Sequence, residues 1–93
     1  MVKVGFIGAG NMALALIKAI KKAGLASSIY ASDVKEERLR IAKEEAKVNV
    51  TPYNKVVLNE SDIIFLAVKP QDIDNVLGGM KNTDKLIISI AAG

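Results

Sequence analysis

Two kinds of apolar pattern alternate along the chain. Short dense runs, Val2 to Ile7, Ser28 to Ser32, Val48 to Val50, Asp62 to Val68 and Lys85 to Ala91, have the length and composition of strands. The segments between them repeat apolar residues at helical spacing. Over Asn11 to Ala23, the residues Ala13, Leu16, Ile17, Ile20 and Ala23 share one face and Lys18, Lys21 and Lys22 lie largely on another. Gly24 follows the last periodic residue, as a left-handed C-terminal cap would. Lys35 to Ala46 predicts a charged amphipathic helix carried by Leu39 and Ile41 or Ala42. Thr51-Pro52 reads as an N-cap and first-turn proline that open a brief helix through Asn54 to Leu58. Pro70 opens another over Gln71 to Leu77, with Asp72 and Asp74 near its positive end, and Gly78-Gly79 stops it. No repeat, low-complexity tract or interdomain linker interrupts the series.

Strands alternating with helices imply parallel βαβ units. With right-handed crossovers these give an α/β fold, a doubly wound parallel sheet of five strands in the order 3-2-1-4-5. Ligands of such sheets bind beyond the C-terminal ends of the strands. That edge collects Gly8 to Met12, Ser32-Asp33, Ala67 to Pro70 and Ala91-Ala92-Gly93 from distant parts of the sequence.

The first of these groups carries the most chemistry. Gly8-Ala9-Gly10-Asn11-Met12-Ala13 is a G-x-G-x-x-A turn that follows a strand and opens a helix. In a dinucleotide-binding turn Gly8 permits the tight bend, Gly10 lets the main chain approach a pyrophosphate, and Ala13 lets helix and strand pack closely. Free N–H groups and the helix dipole then favour the anion with no basic side chain. Asp33 stands at the distance, about 20 residues on, where an acidic residue accepts hydrogen bonds from the adenosine ribose. It would favour NAD(H); it would equally serve as a cap for the next helix. Lys35 and Arg38 are close enough to pair with a 2′-phosphate and reverse that preference, or they form an exposed helix face. Met12 reads either as a packing residue or as a cofactor contact, and Pro70 and Lys69 have sufficient roles in helix initiation and at the surface.

Composition narrows the class further. The 93 residues suit one small domain, and 51% hydrophobic with 25% charged residues is ordinary for a globular chain. Without cysteine or histidine there is no disulfide or thiol chemistry, and only oxygen ligands remain for a metal, so no metal site is expected. A net charge of +3 spread over helices, with 4% aromatic residues, gives neither a basic stripe nor a stacking platform, and no nucleic-acid partner is expected. No apolar run approaches the roughly 20 residues of a membrane span and no leader precedes the first strand, so the expected setting is cytoplasmic, away from membranes.

Four segments in order, Gly5-Phe6-Ile7-Gly8-Ala9-Gly10-Asn11-Met12-Ala13, Thr51-Pro52-Tyr53-Asn54-Lys55, Phe65-Leu66-Ala67-Val68-Lys69-Pro70-Gln71 and Ile88-Ser89-Ile90-Ala91-Ala92-Gly93, resemble the amino-terminal half of pyrroline-5-carboxylate reductases. The resemblance covers residues 1–93. It implies an incomplete NAD(P)-binding Rossmann domain, with a helical dimerisation domain and the homo-oligomer it forms lying outside the chain. It also implies reduction of an imine substrate, pyrroline-5-carboxylate, to proline with NADP(H) or NAD(H). On this resemblance Ile7 to Met12 would hold the pyrophosphate and Asn54 would reach the adenosine ribose or its phosphate. Ala67, Val68, Lys69 and Pro70 would flank the nicotinamide ribose, and Ala91 and Ala92 would lie near the nicotinamide. Ser32-Asp33 departs from family members that present serine, threonine or arginine to a 2′-phosphate. No catalytic residue is assigned, because those that orient the imine come mostly from the helical domain, and the chain by itself is expected to bind dinucleotide weakly, if at all, and to be inactive. The alternatives are a β-hydroxyacid dehydrogenase, a deazaflavin-dependent NADP reductase, or a nucleotide-binding module without catalysis.

Overall fold

A computed structural model describes residues 2–78 and 84–90. Five parallel strands, β1 (Val2–Ile7), β2 (Ala26–Ser32), β3 (Asn49–Thr51), β4 (Ile63–Leu66) and β5 (Leu86–Ser89), form one sheet in the order β3-β2-β1-β4-β5. This is the strand order the crossover rule predicts. The central strand β1 pairs on both sides, Phe6 lying opposite Ala31 of β2 and Phe65 of β4. Side chains alternate across it. Val4 and Phe6 face one layer, and Ile7 faces the other.

The first layer is built by α1 (Asn11–Ala23) and α2 (Glu36–Ile41), the latter continuing as a π-helical turn, Ala42–Ala46. Ala13, Ile17 and Ile20 of α1 pack with Ala42 and Ala46 over Val4, Phe6, Ile29 and Ala31. The stacked rings of Phe6 and Phe65, 4.9 Å between centroids and 15° apart in plane, extend this core across two strands. Burying a side chain such as Ile17 contributes about 1.5–3 kcal/mol. The helix ends as its sequence requires. Gly24 adopts φ +67°, its N–H donates to Lys21 C=O at 3.1 Å, and the N–H of Leu25 returns to Ile20 C=O at 3.2 Å.

The opposite layer holds α3 (Asn54–Glu60) and α4 (Ile73–Gly78), the second preceded by a 3₁₀ turn, Pro70–Asp72. Val57 of α3 packs with Ile7, Ile64 and Leu66, flanked by Val76 and Ile87. Helices therefore cover both faces, which completes the doubly wound arrangement.

Several boundaries differ from the sequence pattern. β2 begins at Ala26, two residues before Ser28, because Val2 finds a partner there. β4 stops at Leu66, while β5 is shorter than Lys85 to Ala91 within the described residues. The expected helix 35–46 changes pitch at Ala42 and ends with Lys47 at φ +54°, its last carbonyls taken by Lys21 Nζ, 2.8 Å from Ala46 O and 3.1 Å from Lys47 O. Thr51 is not the N-cap of α3. It is the last residue of β3, paired with Ser32, and its Oγ1 accepts the N–H of Tyr53 at 3.1 Å, so the helix starts after Tyr53. Pro70 does open its helix, at the first 3₁₀ position.

Candidate functional site

The parallel arrangement brings the C-terminal ends of β1, β2 and β4 together, and short hydrogen bonds lock them. Gly8 N–H donates to Ser32 C=O and Ala67 N–H to Ile7 C=O, both at 2.8 Å. A cleft of about 590 Å³ opens over these ends, bounded by the start of α1.

Gly8 has φ +103°, and a Cβ on it would overlap the carbonyl oxygen of Ala67, so only glycine makes this bend. Gly10, the N-cap of α1, differs. Its φ is an ordinary −75°, and a Cβ there would meet only the Arg38 guanidinium, at 3.7–3.8 Å. Neither backbone nor packing needs glycine at that position. Its bare Cα keeps the cleft floor open to a group approaching the main chain, as the G-x-G-x-x-A geometry demands for a pyrophosphate. Leu14 N–H is the first to close α1, onto Gly10 C=O at 2.9 Å, and the preceding N–H groups sit at the positive end of a 13-residue helix.

Most of the sequence-selected residues meet here. Ile7, Gly8, Gly10, Asn11 and Met12 line the cleft from β1 and α1, Ser32 and Asp33 from the end of β2, and Asn54 from the first turn of α3. Ala67, Val68 and Lys69 form its other end. Ala9 does not face the cleft; it is 5% exposed and packs in the core. Its N–H, expected to serve the pyrophosphate, donates instead to Asp33 Oδ2 at 2.9 Å. Pro70 is exposed and off the cleft wall, where its place at the start of the 3₁₀ turn is its role. Ala91 and Ala92 lie outside the described residues.

Asp33 is the best-connected polar group of the site. Oδ1 accepts Lys35 N–H at 2.8 Å in a local turn that precedes α2 and does not cap it, since Lys35 is the N-cap and no side chain caps that helix, while Oδ2 ties the glycine turn to β2. Arg38 Nη1 stands 3.7 Å from Oδ2. Ser32, fully buried, donates its hydroxyl to Asn54 Oδ1 at 2.7 Å and so orients the asparagine amide. Both Lys35 and Arg38 line the cleft. Sequence reasoning missed Val34, Asp72 and Val76 on its walls. Val34 is 94% exposed, and a lone apolar residue between Asp33 and a charged helix was the one available signal. Among the described residues no group of three or more acidic side chains gathers to hold a metal ion, and no helix is long and apolar enough to cross a membrane.

Residues 3–93 match the family model described as NADP oxidoreductase, coenzyme F420-dependent. The chain is 47% identical to a pyrroline-5-carboxylate reductase of Methanosarcina acetivorans over 98% of its own length and 36% of the relative's, and 41% identical to that of Pseudomonas aeruginosa over 98% and 35%. Among solved structures it is similar to a pyrroline-5-carboxylate reductase from Coxiella burnetii, with a TM-score of 0.88 and 29% identity over 97% of this chain and 35% of that one. It is also similar to the Plasmodium falciparum pyrroline carboxylate reductase solved with NADP bound, at a TM-score of 0.79 and 29% identity over 97% and 33%. The chain thus spans about a third of the length of the relatives it matches.

Proposed function

We propose, for a chain that belongs to the family of F420-dependent NADP oxidoreductases, that it forms the dinucleotide-binding part of a pyrroline-5-carboxylate reductase, which reduces 1-pyrroline-5-carboxylate to L-proline with NADPH or NADH. The identity of 47% with such a reductase over nearly the whole chain is the observation that carries this reading. The cleft supports it independently, because Gly10 is left bare where the protein itself would accept a methyl group.

The nicotinamide coenzyme, when bound, supplies the hydride that reduces the imine carbon. The residues of the chain bind and orient it. N–H groups at the start of α1 receive the pyrophosphate over Gly10, and the Gly8 bend sets their position relative to β4. Asn54, its amide fixed by Ser32, reaches the adenosine end, while Ala67, Val68 and Lys69 flank the opposite end. The proposed role is positioning of one reactant, with the imine bound by parts of the protein beyond these residues. On the same reading this is one incomplete Rossmann domain, the whole enzyme is a cytoplasmic homo-oligomer assembled through a helical domain, and the chain alone forms no proline.

A chimera tests the proposal. This chain is exchanged for the matching segment of the Methanosarcina acetivorans reductase. Proline formation from pyrroline-5-carboxylate and NADPH, absent with the 93-residue chain alone, is the expected result. A folded chimera that binds NADPH and forms no proline refutes the substrate assignment.

A further inference from the structure

Met12 has no place in the packing of the helix that carries it. It sits in the first turn of α1, belongs to neither hydrophobic cluster, lines the cleft and is 49% exposed. The next residue, Ala13, is 1% exposed and packs that turn against the sheet. Met12 therefore presents a flexible thioether to solvent at the end of the helix where a pyrophosphate would sit. An exposed methionine sulfur reacts readily with peroxides, and the product is polar.

The surroundings decide what that reaction does. The main-chain N–H groups of Asn11 and Met12 find no acceptor among the described residues, since α1 first closes with Leu14 N–H on Gly10 C=O. They lie at the positive end of the helix, and its first turn holds no acidic side chain. Helical Cα–Cβ bonds tilt toward the N-terminus, so a side chain at this position leans back over those donors. A thioether is only a weak acceptor for them. A sulfoxide carries a partly negative oxygen that can occupy the N–H groups a pyrophosphate needs. We propose that Met12 is an oxidation site that controls the cleft: a hydroperoxide converts it to the sulfoxide, whose oxygen competes with the coenzyme pyrophosphate at the start of α1. One peroxide oxygen passes to sulfur, the O–O bond breaks as the S–O bond forms, sulfur loses two electrons, and the other oxygen leaves as water or an alcohol. The proposal rests on the dinucleotide-binding reading above. Because both coenzymes share the pyrophosphate, oxidation weakens both alike, and bound coenzyme shields the sulfur.

The test treats the chain with hydrogen peroxide, removes the excess with catalase, and titrates it calorimetrically with NADP⁺ and with NAD⁺. Peptide mass spectrometry follows the gain of one oxygen at Met12. The oxidised chain is expected to bind both coenzymes at least ~10-fold more weakly than the untreated chain, the order that loss of a charge-assisted hydrogen bond gives. Methionine sulfoxide reductase should restore the affinity. Saturating NADP⁺ should slow oxidation of Met12 at least ~5-fold by covering the sulfur. The chain also contains Met1 and Met80, so Met12→Leu is the control: whatever its own affinity, peroxide should change it by less than about 2-fold. Because Met12 lies outside both core clusters, oxidation is expected to leave the circular dichroism spectrum unchanged. Unchanged affinity after full oxidation of Met12, or an equal peroxide-induced loss in Met12→Leu, overturns the proposal. A Met12 that resists peroxide overturns it, and so does a loss confined to one coenzyme or accompanied by unfolding. An untreated chain that binds neither coenzyme refutes the dinucleotide reading and the proposal with it.

Discussion

Replacing Gly8 with alanine tests whether the fold depends on the bend that makes the cleft. At φ +103° an L-residue is strained, which costs about 1–3 kcal/mol. The added Cβ also overlaps the carbonyl oxygen of Ala67 and stands 2.8 Å from its carbonyl carbon. Both are backbone atoms, held by the Ala67 N–H bond to Ile7, and no rotamer change can clear them. Forcing these strand ends apart adds about 1–3 kcal/mol, the usual cost of overpacking. The total of about 2–6 kcal/mol is a large share of the ~5–15 kcal/mol that holds a domain together. For a chain of this size each kcal/mol shifts Tm by about 4–8 °C, so Gly8→Ala should melt at least ~8 °C below the parent. Thermal denaturation followed by circular dichroism reads this directly. A melting point within about 2 °C of the parent would refute the claim that Gly8 is fixed by its backbone. Gly10→Ala is the matched control. Its φ of −75° and the 3.7 Å clearance predict a Tm within ~3 °C of the parent, since an alanine at this cap costs little beyond what its stiffer unfolded chain returns. NADPH affinity, in contrast, should fall at least ~10-fold because the methyl group stands where the main chain meets the pyrophosphate. Retained affinity would show that Gly10 has no part in close approach.

Asp33→Ala strips the acceptor from the N–H groups of Ala9 and Lys35. Leaving the buried one unpaired costs about 1–3 kcal/mol, to be read as a lower denaturation midpoint at unchanged slope. Ser61 Oγ is buried with no partner among the described residues, so Ser61→Ala should leave stability unchanged or raise it; a clear loss in the same titration would reveal a hydrogen bond to that hydroxyl. The Lys18–Glu45 pair spans 2.9 Å but is about half exposed on both sides, and a double-mutant cycle should give a coupling below about 1 kcal/mol that salt removes.

The sheet was legible because its determinants are local and repeated. Buried parallel strands read as dense apolar runs, and the G-x-G-x-x-A turn marks where the first one ends. Gly24 could be placed as a left-handed cap because it immediately follows the last periodic residue of its helix. Thr51-Pro52 shows where such reading fails. A threonine before a proline is a good local helix start, but pairing with Ser32 claimed Thr51 for β3, and the hydroxyl cap was spent one turn early on Tyr53. Val76 reached the cleft wall only through the way α4 lies across the sheet, which no residue within that helix announces.

Asp33 carries the same lesson into function. Its residue type and its distance from the glycine turn suit a ribose contact, and those features alone would assign NADH. Its carboxylate instead turns back to a backbone N–H 24 residues earlier, a partner that exists only once β1 and β2 are side by side. The position of a candidate ligand group was thus visible in the sequence, but its bond to the Ala9 N–H was not, because that partner comes within reach only in the tertiary structure.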